Sequence, residues 1–296
     1  MQWTHLREEE FDAAIEKSGG LCVMCIGCME KHGQHLPVGT DSLKGNKIVA
    51  EAADRAGVVM FPTTMWLGDV VSSHAVDDPK AMGKRGFIGM NPHTLMTVLE
   101  ELCDEIARNG FRKILLCSSH GGNTGFLNYF IRSQCYKKKG YATMSCNAYD
   151  FSNLLQPKNI LAMAEANPEE FPMLTPADYD TLRKFSEPGT LFGHACFIET
   201  MLVYGTYPEL VAPDRFDAES GLSTRRASYL ADLGVSFGYS WSSNYPNSYC
   251  GTSPVGCTET LGQAAVKIST DRLVKIFEAL RDDEECVAMA KEGRPC

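Results

Sequence analysis

The sequence predicts an α/β fold: one domain of three layers, α/β/α, around a mainly parallel central sheet. Three observations predict it. Apolar runs of strand length alternate with amphipathic helical patterns through the first half of the chain. Polar, chemistry-bearing clusters follow two of those runs directly. The 296 residues, 44% hydrophobic and 22% charged, are enough for a large core with the composition of an ordinary globular protein.

Residues 21–26 (Leu-Cys-Val-Met-Cys-Ile) read as a buried strand. Residues 41–56 read as a helix, with Ile48, Val49, Ala52 and Ala53 on one face and Gly57 to stop it. A strand is expected over 58–61. Asn91-Pro92 is a helix start, an N-cap followed by proline at the first helical position. The stripe Leu95, Val98, Leu99, Leu102 and Ile106 continues that helix to Gly110. A strand over 114–117, a helix over 125–138 and a strand over 141–146 follow. Between 150 and 188 five prolines loosen the pattern, as in a functional loop or one carrying short helices. The stretch from His194 to Val203 reads as a helix, residues 208–254 as irregular, and 259–280 as a long amphipathic helix. No internal repeat or linker divides the chain, so one domain over residues 1–296 is expected.

The net charge of −9 argues against nucleic acid or an anionic membrane as partner, since both favour basic surfaces. The first ten residues hold no apolar signal segment, and no run approaches eighteen apolar residues, so a cytoplasmic protein is expected. Of the twelve cysteines, Cys22, Cys25 and Cys28 have C-x2-C-x2-C spacing. On a strand they would face opposite sides, so one metal could not collect all three. They read as small buried hydrophobes in a reducing compartment.

Residues 30–41, Glu-Lys-His-Gly-Gln-His-Leu-Pro-Val-Gly-Thr-Asp, hold two carboxylates and two imidazoles. These are ligand types that a divalent metal of borderline hardness prefers. They lie where open α/β sheets bind ligands, just outside the carboxyl end of a strand. A second cluster, Ser118-Ser119-His120-Gly121-Gly122-Asn123, follows another apolar run. Together they suggest a metal centre built between neighbouring strands. Other readings stand beside this one: Asp41 as a helix N-cap, His120 as a hydrogen-bonded strand end, and Gly121–Gly122–Asn123 as an anion nest at a helix start. Glu199, among Phe197, Ile198, Met201 and Leu202, must be paired, protonated or bound to metal.

These residues resemble the creatininase (creatinine amidohydrolase) family. Its pattern E-x-H-G-x-H-L-P-x-x-T-D stands at 30–41, H-G-G-N at 120–123 and H-A-x-x-x-E-T at 194–200. A glycine-rich segment at 251–262 precedes the last long helix, as in the family. The resemblance implies a creatininase-like fold, a homo-oligomer (often a hexamer) and two divalent metal ions, zinc or manganese with iron as an alternative. It implies Glu30, His32, Asp41 and His120 as ligands, with Asp41 bridging, and His194 as proton shuttle. Where creatininase has a further metal-binding glutamate this chain has Gly122, so Glu199 is the candidate fifth ligand. His74, in the altered segment Ser73-His74, and Asn123 are taken as substrate-binding positions. The expected activity is hydrolysis of a C–N amide bond, in a small cyclic amide other than creatinine, by metal-activated water. The same centre could instead open a cyclic polyol-derived ketone, with Ser242, Ser243, Asn244, Tyr245 and Asn247 binding hydroxyls. A non-catalytic metal-binding protein is the third reading.

Overall fold

The computed structural model of the chain describes residues 1–62, 64–70 and 85–293. Four strands, β1 (Leu21–Ile26), β2 (Val59–Met60), β3 (Lys113–Ser118) and β4 (Ala142–Asn147), form one sheet in the order β2-β1-β3-β4. Every pairing within it is parallel. The period of two in a strand sorts its side chains between two cores. Leu21, Val23 and Cys25 of β1, with Leu115 and Cys117 of β3, enter one apolar cluster. Cys22, Met24 and Ile26, with Ile114 and Leu116, enter the other. The continuous apolar runs therefore exist because both faces are covered, as parallel sheets require.

The first core is covered by α2 (Thr40–Ala56), the second by α3 (Pro92–Arg108) and α4 (Asn123–Gln134). A seven-residue helix α1 (Phe11–Lys17) precedes β1. The first core is extended by α5 (Pro157–Ala166), α6 (Pro176–Phe185), α7 (Phe197–Tyr204) and α10 (Glu259–Asp282). Two short helices, α8 (Ser228–Asp232) and α9 (Ser240–Asn244), lie before α10, and α11 (Glu285–Glu292) follows it. No helix among the described residues is long and apolar enough to cross a membrane.

Helix signals in the sequence are met closely. Asn91 accepts from the His93 backbone N–H, and Pro92 opens α3. Gly57 closes α2 in the left-handed conformation at φ 70°. The strand expected over 58–61 is only Val59–Met60, with the Met60 N–H on the Met1 carbonyl and the Phe61 N–H still on the Val23 carbonyl of β1. The helix expected from His194 begins at Phe197, after Ala195 adopts φ 58°.

The chain passes from β1 to β2 on one side of the sheet and returns as β3 on the other. Open parallel sheets form their ligand crevice at such a switch, beyond the strands' carboxyl ends. Residues 27–41 leave the end of β1, and residues 119–122 leave the end of β3.

Candidate metal centre

At that crevice the chain brings Glu30, His32, Asp41, His120, His194 and Glu199 together. Cys28, Glu30, Asp41 and His120 place one donor atom each within 4.8 Å of one another, as do His32, Asp41 and Glu199, and also Glu30, His32 and His194. Asp41 belongs to two of these groups. It opens α2, while Gly39 is the residue that caps it, so helix capping does not account for Asp41.

Each of the three histidines has one ring nitrogen tied to a backbone carbonyl and the other turned inward. His32 Nδ1 donates to the Glu30 carbonyl at 3.1 Å, which leaves Nε2 3.3 Å from Asp41 Oδ2 and 3.7 Å from Glu199 Oε2. His120 Nε2 donates to the Asp69 carbonyl at 2.9 Å, leaving Nδ1 3.1 Å from both Glu30 Oε1 and Asp41 Oδ2. His194 Nε2 donates to the Lys31 carbonyl at 2.7 Å, leaving Nδ1 3.5 Å from Glu30 Oε1. Fixing the outer nitrogen in this way orients a metal-binding imidazole. Glu30 Oε1 and His32 Nε2 are buried with no hydrogen-bond partner, so two inward donors remain unsatisfied. Mixed N and O donors, converging and partly unsatisfied, fit a divalent cation.

Electrostatics follow from burial and proximity. Burial pushes the Glu30 carboxyl up, but His120, His194 and His32 reverse this and hold it at about 2. Burial is likewise outweighed at Asp41 and Glu199, where Lys44 and His32 hold the carboxyls below the usual range. His32 and His120 titrate above ordinary histidine because neighbouring acids overcome burial. His194 titrates below it, lowered by burial and by His32. Cation binding must therefore displace protons from His32 and His120. Metal affinity should fall on acidification, starting above the ordinary histidine value of about 6.5. Chelator-competition titrations across pH check this, and an affinity independent of pH would contradict it.

Sequence reasoning missed two residues here. Lys44 is fully buried, with Nζ 2.7 Å from Asp41 Oδ1 and 2.7 Å from Glu199 Oε1. The signal was available: Lys44 lies four residues before Ile48, on the buried stripe of α2. Cys28, expected to be a plain hydrophobe, donates its thiol to Asp41 Oδ2 at 3.1 Å. Cys22 and Cys25 do divide between the two cores.

Other expectations are corrected. Asn123 is fully buried and does not line the cavity; its amide donates to the Ile26 and Gly27 carbonyls and accepts from the Asp69 N–H. It ties the end of β1 to the following loop and is not placed to hold substrate. Asn123→Ala should cost about 1–3 kcal/mol in denaturant unfolding, since buried backbone partners are left unpaired. A raised KM with unchanged stability would restore the substrate-binding role. His74, expected at the substrate, lies outside the described residues. His35, second imidazole of the 30–41 motif, is outside the cluster. It donates to the Ala195 carbonyl at 3.0 Å, and burial pushes its pKa down to about 4. It thus supports the turn that presents His194. Lys31, between Glu30 and His32, is a half-buried partner of Glu219 at 2.6 Å.

Gly122 is glycine for a steric reason. A Cβ there would lie 2.4 Å from His120 Nε2 and 3.0 Å from the Asp69 carbonyl oxygen, colliding with the bond that aims His120. Glu199 supplies a carboxylate from α7 instead, and its Oε2 accepts from the Ala195 N–H at 2.6 Å.

A cavity of about 910 Å³ opens onto Glu30, His120, His194 and Glu199. Val70, Tyr149, Phe151, Tyr239 and Trp241 give it apolar walls, with Thr124 and Asn147 among its polar groups. The Trp241 ring meets His194 edge-on at 5.3 Å. The polar residues proposed for hydroxyl binding do not line this cavity. Asn244 accepts from the Ala227 N–H, Asn247 donates to the Ser220 carbonyl, and Ser242 donates to the Tyr239 carbonyl.

Known proteins give the same picture. The creatininase family model, described as creatinine amidohydrolase, matches residues 4–277. A creatinine amidohydrolase from Pseudomonas putida is 22% identical over 215 residues, covering 70% of this chain and 72% of its own. Among solved structures, a Bacteroides fragilis protein assigned as a creatinine amidohydrolase has a TM-score of 0.65 at 22% identity, covering 90% of this chain and 91% of its own. A manganese form of creatininase has a TM-score of 0.63 at 18% identity, covering 95% and 99%. The fold is shared with these structures, and the family match runs through all three motifs that build the cluster: this chain belongs to the creatininase family.

Proposed function

We propose that this protein is a divalent-metal-dependent amidohydrolase that cleaves the C–N bond of an amide, with a small cyclic amide as substrate. The observation that carries the reading is the set of three inward-facing imidazole nitrogens around three buried carboxylates, at the mouth of a substrate-sized cavity. The manganese and Zn–Zn forms among the related structures support divalent ions, with zinc or manganese favoured and iron an alternative. Glu30, Asp41 and His120 would hold one ion, and His32, Asp41 and Glu199 a second, with Asp41 shared. When bound, such ions supply Lewis acidity and acidify water toward neutrality.

The chain's own residues supply the rest. His194 presents Nδ1 beside Glu30 and into the cavity, while its Nε2–H stays on the Lys31 carbonyl. Being neutral near pH 7, Nδ1 takes the proton that the attacking water loses. It then returns that proton to the amide nitrogen as the C–N bond breaks, because an unprotonated amine leaves poorly. Ring opening leaves one product that carries a new carboxylate and a new amine. Tyr149, Phe151, Tyr239 and Trp241 exclude water and strengthen these interactions. Screening lactams, other cyclic amides, formamides and short peptides for equimolar amine and carboxylate tests the reading. Hydrolysis of a ring ketone without release of any amine would replace it.

The exposed apolar side chains Leu222, Tyr229, Leu233, Val235 and Phe237 support a homo-oligomer, which light scattering of the purified protein checks.

A further inference from the structure

We infer that the two cation positions of this centre are unequal, because the buried Lys44 ammonium pairs with two donors of one and with a single donor of the other. The inference rests on the metal-centre reading above. Lys44 Nζ takes Asp41 Oδ1 and Glu199 Oε1, both at 2.7 Å, and the Tyr149 ring covers it at 5.4 Å. Those carboxylates are two of the three donors of the His32–Asp41–Glu199 position. The Cys28–Glu30–Asp41–His120 position shares only Asp41 with the lysine.

Two consequences follow. With Oδ1 and Oε1 on Lys44, Asp41 and Glu199 face His32 Nε2 through Oδ2 and Oε2, which also accept from the Cys28 thiol and the Ala195 N–H. A cation bound there also meets a fixed like charge that water does not screen, since Lys44 is fully buried. The ammonium does for the empty position what a cation does for the filled one. It relieves repulsion between Asp41 and Glu199 and lets the folded chain keep that position vacant. Among the described residues the Glu30 group holds no lysine, and the groups beside Glu30 that can carry positive charge are the imidazoles of His120 at 3.1 Å and His194 at 3.5 Å. One equivalent should therefore be held tightly, and the second should bind only from free metal in solution.

The test is a zinc titration of the stripped full-length chain against a competing chelator. Wild type should bind in two steps separated by about 100-fold, from the extra like charge. Glu199→Gln should abolish the weak step alone. Lys44→Met should tighten the weak step by about 10-fold or more and the tight step by less, since that position shares only Asp41 with the lysine, while Lys44→Arg should keep the wild-type separation. Two wild-type steps of equal affinity would overturn the inference, and so would a second step weakened in Lys44→Met. If Lys44→Met does not fold, the wild-type separation and Glu199→Gln decide the matter. Absence of any zinc uptake would instead remove the metal-centre reading itself.

Discussion

Replacing His194 by alanine should lower turnover by about 10²–10⁴-fold, the usual worth of general acid–base catalysis, with metal content unchanged. Its role differs from that of His120, although each imidazole is tied outward to a carbonyl. His120 Nδ1 lies 3.1 Å from two carboxylates, whereas His194 Nδ1 is 3.5 Å from Glu30 and 3.9 Å from Glu199. His120→Ala should accordingly lose metal. Elemental analysis paired with steady-state kinetics separates the two. Loss of metal from His194→Ala would make it a ligand, and near-normal activity would remove the need for an acid at the leaving group.

Asp41→Ala should have the other large effect, lowering occupancy of both cation positions together. Asp41 Oδ2 is the meeting point of His32, His120 and Cys28, and Oδ1 holds Lys44. Breaking this buried pairing should also cost the metal-free fold about 3–5 kcal/mol, since Lys44 loses one of its two carboxylates. Equilibrium unfolding of stripped protein measures that cost. Loss at one position only, with stability unchanged, would make Asp41 a terminal ligand.

Where the sequence carries a period, it was readable. β1 and β3 showed as apolar runs because both faces of a parallel sheet are buried, and α3 showed through Asn91-Pro92 and its stripe. Glu199 was legible as a carboxylate among apolar residues that demanded a partner. That partner includes a lysine from α2, and contact across 155 residues of sequence leaves no local pattern. Asn123 was misread because its motif adjoins His120, yet adjacency in a loop does not fix which way an amide turns. His35 shares the 30–41 motif with His32 but serves Ala195, on a segment far along the chain. The 240–247 loop looked like a hydroxyl-binding surface because its polar groups were visible and their backbone partners were not.

Equilibrium dialysis of the stripped chain against excess zinc or manganese tests most directly whether this cluster holds divalent metal. Saturation at about two equivalents per chain is the expected result for a paired-metal hydrolase site. Binding of neither metal by folded protein would contradict it.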